Sequence, residues 1–249
     1  MEVIKDMGGR IMFYHQLAKV YEHVFPAKGK IPFLVEHFKG HKRILDMGCS
    51  DGRVTQGLAD HGFSMASADL SETMVAVAKD VSKDGAGFPV DQVDMRHTLT
   101  HYGMGSFDGI YCVGNTLVHL LSDQDIQRTL CGFYDTLTAE GTLIIQILNY
   151  DKVVSEQVTS LPLIENDHVR FERYYEHLDG MITFSTKLHV KESDSHYEAD
   201  TLLRPLRKTG LEQMLRTAGF TDLEWFSGYD GRAFDNSRLP LLVVAKKAK

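Results

Sequence analysis

Apolar side chains along this chain follow helical spacing in some segments and strand spacing in others, and the two patterns alternate. Apolar residues share one face of a predicted helix over residues 14–25, which Pro26 ends, and a second short helix is predicted over 33–38. From there, strand-like and helical runs alternate, which is typical of a parallel sheet covered by helices. The predicted strands of this region span residues 43–47, 63–69, 89–93, 107–113 and 143–148.

Polar residues and glycines mark the ends of several predicted helices. Ser71 precedes a helical run that reaches Lys79, and Ser122 with Asp125 three residues later has the spacing of a capping box. Gly219 follows a helical run over 211–218 and is typical of a helix C-terminus. These signals support the helix assignments independently of hydrophobic spacing.

The pattern changes after Asn149. Residues 168–203 alternate between apolar and polar positions, and Asp179-Gly180 within them is a strong hairpin signal. Two further strands are predicted over 223–226 and 239–245. We therefore predict an α/β protein with a Rossmann-like, open, mostly parallel seven-stranded sheet, helices on both faces, and an antiparallel β insert after strand five.

Four regions follow from this pattern. Residues 1–40 form an N-terminal helical lid and residues 41–150 the ligand-binding α/β core. Residues 151–205 form an inserted antiparallel cap. Residues 206–249 supply the last helix and the two strands that complete the core.

Composition and charge exclude several classes of function. The chain of 249 residues has a formal net charge of -7, and basic residues cluster only in the short tail around Lys246, so nucleic acid is not the expected partner. The polar N-terminus and the lack of long apolar runs predict neither a secretory signal nor a membrane span. The three cysteines form no CxxC pair, so we predict no metal, no disulfide framework and a cytoplasmic location.

The most informative stretch is residues 44–52, Ile-Leu-Asp-Met-Gly-Cys-Ser-Asp-Gly. A strand that runs into a glycine turn and then a helix places backbone N–H groups at the carboxyl edge of a parallel sheet, where such folds bind ligands. A pyrophosphate site has the spacing G-x-G-x-x-G. This turn instead reads Gly48-x-x-x-Gly52, with the acidic Asp46 just before it and Asp51 near its end. Carboxylates repel pyrophosphate and suit a ligand that carries an ammonium and a sulfonium.

This stretch resembles the first motif of the class I methyltransferases, which bind S-adenosylmethionine. Asp69 ends the second predicted strand 23 residues after Asp46, where the family's acidic residue meets the ribose hydroxyls. Asp94 and Met95 resemble the pair that contacts adenine. The resemblance implies a cofactor site that also includes Tyr14, Cys49, Ser50, Leu70, Met74 and Val113.

Three further segments resemble the bacterial glycine/sarcosine N-methyltransferases. They are residues 112–120 (Cys-Val-Gly-Asn-Thr-Leu-Val-His-Leu), residues 149–151 (Asn-Tyr-Asp) and residues 205–208 (Pro-Leu-Arg-Lys). The chain departs from that family at Leu148, where the family carries arginine, and in its glycine turn. These departures leave the identity of the methyl acceptor open.

The resemblance and the strand ends predict where the acceptor binds. Asn115, His119 and Tyr21 are the candidate catalytic residues: Asn115 could bind the amine or a carboxylate, His119 could act as a base, and Tyr21 is expected near the sulfonium. Asn149 and Tyr150 leave strand five at the same edge of the sheet. Arg173 shares the apolar face of its strand and could hold an anionic group of the acceptor.

We therefore expect an S-adenosylmethionine-dependent methyltransferase that N-methylates a small, amino-acid-like amine, acting as a monomer or homodimer. An O- or S-methyltransferase on the same scaffold is one alternative, because a fold does not determine the nucleophile. The second alternative is a protein that binds the cofactor without catalysing transfer.

Overall fold

The computed structural model describes the backbone of residues 7–248 and the side chains of residues 16–248. Its α-helices are α1 (Met7–Val24), α2 (Ile31–His37), α3 (Arg53–Asp60), α4 (Glu72–Asp84), α5 (Thr98–Tyr102), α6 (Asp123–Thr136), α7 (Tyr150–Ser155) and α8 (Lys208–Ala218). Its strands are β1 (Arg43–Met47), β2 (Ser64–Asp69), β3 (Val90–Gln92), β4 (Phe107–Cys112), β5 (Leu137–Leu148), β6 (Ile164–Glu165), β7 (Val169–Leu178), β8 (Met181–Val190), β9 (Ser195–Leu203), β10 (Phe220–Phe226) and β11 (Pro240–Lys247). Short 3-10 turns cover Met95–His97 and Leu117–His119.

The larger sheet has seven strands in the order β10-β11-β5-β4-β1-β2-β3. The strands β3, β2, β1, β4 and β5 pair in parallel, and β11 joins β5 in the antiparallel direction. The strand order reverses at β1, which pairs with both β2 and β4. In open α/β sheets such a reversal leaves a crevice at the carboxyl edge, where ligands bind. The predicted fold class is confirmed.

Helices cover both faces of this sheet, so its central strands are apolar on both sides. In β4, Ile110 and Cys112 pack toward the cluster that includes α6 and α8, while Tyr111 packs toward the cluster that includes α2, α3 and α4. This alternation follows from the period of two residues in a strand. Of the helices that the structure describes, none is long and apolar enough to cross a membrane.

The smaller sheet lies between α7 and α8 in the chain and has the order β6-β7-β8-β9. Its hairpin turn is the predicted one, with Asp179 at φ +48° and Gly180 at φ +76°. Val169 of β7 and Leu188 of β8 pack against Leu17 and Val24 of α1. The N-terminal helix and the inserted sheet therefore contact each other directly.

The predicted helix signals hold, although several elements, including α1, α4, β5 and β10, are longer than predicted. The Ser71 hydroxyl accepts from the Met74 N–H at 3.4 Å, Ser122 does the same for Asp125 at 3.1 Å, and Gly219 ends α8 at φ +111°. Helix α4 continues past Lys79 because the buried Ser82 hydroxyl bonds both the N–H and the C=O of Phe88, at 2.8 and 2.6 Å. Strand β5 begins at Leu137, six residues before the predicted start, in a segment interrupted by Glu140 at φ +61°.

Candidate active site

The glycine turn after β1 sits under the carboxyl edge of the sheet. Its backbone is held by β2, since the N–H groups of Gly48 and Cys49 donate to the Ala68 carbonyl at 2.7 and 3.0 Å. Gly48 has φ +86° and Gly52 φ +76°, a conformation that glycine adopts without steric cost. A Cβ on Gly48 would lie 2.6 Å from the Thr116 methyl group. The space beside Gly48 is therefore already filled by a side chain of the protein. A valine at Gly48 would thus disturb the fold as well as a ligand at the turn.

The N-terminal helix α1 is joined to this turn by two side-chain contacts. The Ser50 hydroxyl donates to the Tyr21 hydroxyl oxygen at 3.0 Å. Arg53 Nε lies 3.0 Å from Glu22 of α1 and 3.4 Å from Asp51 of the turn. The structure thus places the predicted Tyr21 at the turn, where burial raises the pKa of its hydroxyl. The side chain of Tyr14 lies outside the described residues.

Asp46 is a buried carboxylate beneath the turn. It is 1% exposed and accepts hydrogen bonds from Thr55 Oγ1 at 2.6 Å and Tyr111 Oη at 2.7 Å. Burial raises the pKa of Asp46 to about 7, although these two bonds and the nearby Lys30 lower it. Asp46 therefore anchors β1, α3 and β4 to each other, and its predicted contact with the cofactor stays a prediction.

Asp69 lies at the end of β2 with its two oxygens aligned by the backbone. Oδ2 accepts from the Ser50 N–H at 3.0 Å and Oδ1 from the Ser71 N–H at 2.9 Å. Burial raises the pKa of Asp69, and these backbone bonds oppose that shift. A carboxylate has about four acceptor positions, so Asp69 can also accept from ribose hydroxyls.

The adjacent Leu70 is 64% exposed, unusual for a leucine beside a ligand-binding edge. The face of an adenine ring would cover such an apolar side chain. Met74, Cys49 and Val113, which the sequence also assigns to the cofactor site, are buried around the turn. Met74 packs with Leu17 of α1.

Asp94 and Met95, the two residues predicted to contact adenine, lie at the start of the 3-10 turn after β3. Asp94 accepts a hydrogen bond from the Arg96 backbone N–H at 2.9 Å. The Arg96 guanidinium also donates to Asp94, with its Nε 3.0 Å from both carboxylate oxygens. These bonds hold the pKa of Asp94 below its usual value. Met95 is partly buried against the larger core cluster. Any adenine amine at Asp94 would share the carboxylate with Arg96.

Two residues that sequence reasoning missed complete the surroundings of the turn. The Tyr229 ring packs on Phe33 of α2, and its hydroxyl is buried with no hydrogen-bond partner among the residues whose side chains the structure describes. Burial raises the pKa of that hydroxyl, and Tyr21 and Asp46 add to the shift, so the hydroxyl lies among the residues of the turn.

Lys30 precedes α2, and burial lowers the pKa of its ammonium while Asp46 and Asp51 oppose that shift. No motif marks either residue, because the loops that carry them have no recognisable pattern.

These groups match the chemistry of S-adenosylmethionine. The carboxylates of the turn suit its ammonium, Asp69 suits its ribose, and Leu70 suits its adenine. The unpartnered Tyr229 hydroxyl and the Lys30 ammonium suit its carboxylate, since a buried polar group without a partner is costly. The residues present therefore fit the cofactor.

The predicted acceptor residues meet at the carboxyl ends of β4 and β5. Asn115, at φ +67°, accepts from the Leu148 N–H at 2.9 Å and donates from Nδ2 to Tyr150 Oη at 3.0 Å. Burial raises the pKa of Tyr150, and the nearby Tyr175 of β7 raises it further. Polar side chains thus extend from the core sheet toward the inserted sheet.

Asn149 is placed elsewhere, and the structure does not support its predicted contact with substrate. It is fully buried and caps α7, accepting from the Lys152 N–H at 3.3 Å. Its Nδ2 donates to the carbonyls of Asn236 and Arg238, both at 3.0 Å. The amide therefore fixes the loop before β11, and Asn149 is left out of the acceptor site proposed below.

Arg173 is half-buried on β7 and lies on the same face of the strand as Tyr175. Its Nη2 donates to the Pro162 carbonyl at 2.6 Å, and its Nε is buried with no partner in the part of the chain whose side chains are described. The guanidinium carbon is 6.0 Å from the centroid of the Phe25 ring and 5.8 Å from that of Phe171. Burial lowers the pKa of this guanidinium. Among the described residues, no carboxylate lies within ion-pair distance of it.

His119 ends the 3-10 turn after Asn115 and is exposed. Its backbone N–H donates to the Thr116 carbonyl at 3.1 Å. Its role as a base stays a prediction.

A cavity of about 500 Å³ opens at the opposite, amino edge of β5 and includes His41, Thr142 and Asp222. It contains none of the predicted site residues.

The comparisons with known proteins agree with the fold and identify the class of enzyme. A family model described as a methyltransferase domain matches residues 44–141. A glycine/sarcosine N-methyltransferase of Halorhodospira halochloris is 30% identical over 225 residues, covering 89% of this chain and 82% of that protein.

Two solved structures share the fold at lower identity. An S-adenosylmethionine-dependent methyltransferase of Clostridium acetobutylicum has a TM-score of 0.77 at 16% identity, covering 96% of this chain and 98% of that one. An amino pentose methyltransferase of Micromonospora echinaspora with bound S-adenosylmethionine has a TM-score of 0.68 at 14% identity, covering 98% and 99% of the two chains.

Fold and site together define a class I S-adenosylmethionine-dependent methyltransferase, and the cofactor is S-adenosylmethionine. The chain belongs to the methyltransferase family that includes the glycine/sarcosine N-methyltransferases.

Proposed function

We propose that this methyltransferase N-methylates a small amine that carries a carboxylate, as glycine and sarcosine do. The main support is Arg173, a half-buried guanidinium that lies near Tyr175 and whose Nε has no hydrogen-bond partner among the described residues. A desolvated cation without an anion is costly. A carboxylate can accept two parallel hydrogen bonds from a guanidinium, which makes an amino-acid-like acceptor the best match.

The names of the relatives support the same acceptor class. Leu148 stands where the glycine/sarcosine enzymes carry arginine, so the anion must be held from elsewhere if the acceptor is similar. Arg173 reaches the acceptor region from β7, one strand of the inserted sheet, and supplies the missing charge. Tyr175 packs in the same buried cluster as Tyr150 and lies near Arg173, so it connects the inserted sheet to the core.

The cofactor supplies a methyl group already activated on a sulfonium, so the chain mainly has to align the acceptor and exclude water. When bound, S-adenosylmethionine would supply the methyl group to the acceptor nitrogen, and its sulfur would keep the electron pair of the broken sulfur–carbon bond. The product ammonium then releases a proton to water. Asn115 and Tyr21 orient the reacting groups, and His119 stands near Asn115 as the candidate base for an acceptor that enters protonated.

At the other end of the cofactor, Tyr229 and Lys30 hold the carboxylate of its methionyl group, and Asp69 holds the ribose. We also propose a small-molecule acceptor, no nucleic-acid partner, a monomeric or homodimeric state and a cytoplasmic location, as predicted from the sequence. The net charge of -7 supports the exclusion of nucleic acid.

The test is an acceptor panel of glycine, sarcosine and ethylamine, with release of S-adenosylhomocysteine as the readout. The two amino acids should react and ethylamine, which lacks the carboxylate, should not. In Arg173→Leu the acceptor KM should rise at least about tenfold, because a hydrogen bond to a charged group contributes about 1.5–3 kcal/mol. The affinity for S-adenosylhomocysteine should stay unchanged.

Two results would count against the proposal. Equal rates with glycine and ethylamine, or an unaltered acceptor KM in Arg173→Leu, would make Arg173 a structural residue. Mass spectrometry of the product distinguishes N-methylation from O- or S-methylation. Cofactor binding without transfer to any acceptor would favour a non-catalytic binding protein.

A further inference from the structure

The tip of the hairpin formed by β8 and β9 carries two histidines and an aspartate. His189 near the end of β8 is directly opposite His196 near the start of β9, so both side chains project from the same face. Asp194 lies in the turn between them at φ +48°. Its Oδ1 is 2.9 Å from His189 Nε2 and 3.9 Å from His196 Nε2.

The three side chains are close to the geometry of a metal site. One ligand atom from each lies within 4.8 Å of the other two. In a tetrahedral zinc site, bonds of about 2.0–2.1 Å place neighbouring ligand atoms about 3.4 Å apart. The two measured nitrogen–oxygen distances lie on either side of that value. The imidazole rings are stacked at 4.1 Å with an interplanar angle of 12°, so a modest rotation of each ring makes their nitrogens converge.

We propose that His189, Asp194 and His196 bind one divalent ion of the zinc class, with water as the fourth ligand. Two imidazoles and a carboxylate are ligands that zinc prefers. The side chains of Asp194 and His196 are 88% and 70% exposed, so an ion reaches them directly from solvent. The site is separate from the cofactor turn, and it replaces the prediction that the chain binds no metal.

Bound there, the ion would connect the two strands of the hairpin across its open tip. Strand β9 is also where α1 packs, through Tyr197 and Ala199. A ligand that binds only the folded state stabilises it in proportion to the logarithm of its concentration over its dissociation constant. The site would therefore stabilise the inserted sheet and the helix that rests on it.

The experiment is calorimetric titration of the full chain, freed of any affinity tag and of chelator, with zinc chloride. One ion should bind per chain with a dissociation constant in the micromolar range, and saturating zinc should raise Tm by several degrees. His189→Ala and His196→Ala should each weaken binding at least tenfold. His61→Ala is the matched control, because His61 is an exposed histidine that bonds the Gly57 carbonyl of its own helix.

A rescue variant separates ligation from folding. His196→Cys supplies a different zinc ligand, so it should bind zinc again, and with cobalt(II) it should add a thiolate charge-transfer band in the near ultraviolet. In EDTA the His196 and His61 variants should match the wild-type Tm, because those side chains are exposed, and His189→Ala should stay close to it, because His189 is only partly buried. The proposal is wrong if zinc does not bind at millimolar concentration, or if the alanine variants bind it as tightly as the wild type.

Discussion

The Tyr229 hydroxyl offers the sharpest test of the cofactor site, because no side chain or backbone group among residues 16–248 partners it. Replacing Tyr229 with phenylalanine removes one oxygen and leaves the ring packed on Phe33. If the hydroxyl donates to the carboxylate of the cofactor, the variant should lose affinity for S-adenosylhomocysteine. The same variant should gain stability without ligand, because a buried hydroxyl with unmet hydrogen bonds destabilises the folded state.

Both effects have expected magnitudes. A hydrogen bond to a charged group contributes about 1.5–3 kcal/mol, which corresponds to a loss of affinity of roughly 10- to 100-fold. Relief of the unpaired hydroxyl should raise the free energy of unfolding by about 1 kcal/mol, or Tm by roughly 2–4 °C in a chain of this size. The opposite signs of the two effects distinguish a ligand contact from a merely structural role, in which both quantities would fall.

The assay is titration calorimetry with three ligands that share the adenosine group. S-Adenosylhomocysteine has the full amino-acid end, its decarboxylated analogue lacks only the carboxylate, and 5′-methylthioadenosine lacks the whole amino-acid end. Tyr229→Phe and Lys30→Met should weaken the first ligand and leave the other two nearly unchanged. Tyr134→Phe is the matched control, since its ring packs on Phe220 at the opposite edge of the sheet.

The reasoning fails if Tyr229→Phe binds S-adenosylhomocysteine as the wild type does. It also fails if all three ligands weaken equally, since that would place the hydroxyl near the adenosine or identify a general loss of structure.

Three further variants test the surrounding residues. Asp69→Ala should weaken S-adenosylhomocysteine by about 1.5–3 kcal/mol in calorimetry, because it removes the ribose acceptor; unchanged affinity would return Asp69 to a purely structural role. Gly48→Val should lose both cofactor affinity and thermal stability. Gly48 has a φ of +86°, which a side chain disfavours, and the new Cβ would lie 2.6 Å from the Thr116 methyl group. A wild-type Tm would refute this. Burial raises the pKa of Asp46 to about 7, so the folded state binds this proton more tightly than the unfolded state, and the contribution of Asp46 to stability falls as pH rises from about 4 to 7. In Asp46→Asn, the free energy of unfolding should lose this decrease with pH. Identical pH profiles for the variant and the wild type would contradict the assignment.

Hydrophobic periodicity predicted much of the fold because each strand of the core is short, apolar and followed by a turn. The bounds of β1 match the predicted residues 43–47, and the turn at Asp179-Gly180 formed as its backbone preferences require. Periodicity failed where polar residues are buried. Ser82 extends α4 through side-chain bonds to Phe88 that no hydrophobic pattern encodes.

The cofactor site was more predictable than the acceptor site for a physical reason. The turn from Asp46 to Gly52 and Asp69 belong to consecutive elements, so their spacing in the chain reflects their distance in space. The acceptor region joins Asn115, Tyr150 and Tyr175 across two sheets, and that contact depends on how the sheets pack. Tyr229 reaches the site from a loop between the last two strands, and a single sequence gives no signal for it.

The proposed reaction moves a methyl group from S-adenosylmethionine to the nitrogen of a small carboxylate-bearing amine. The most direct measurement is mass spectrometry of a reaction that contains the purified chain, S-adenosylmethionine with a deuterated methyl group, and glycine or sarcosine. The account predicts one deuterated methyl group on the acceptor nitrogen for each S-adenosylhomocysteine formed, and no transfer to ethylamine. Formation of S-adenosylhomocysteine with the label on oxygen or sulfur, or transfer independent of the acceptor's carboxylate, would contradict it.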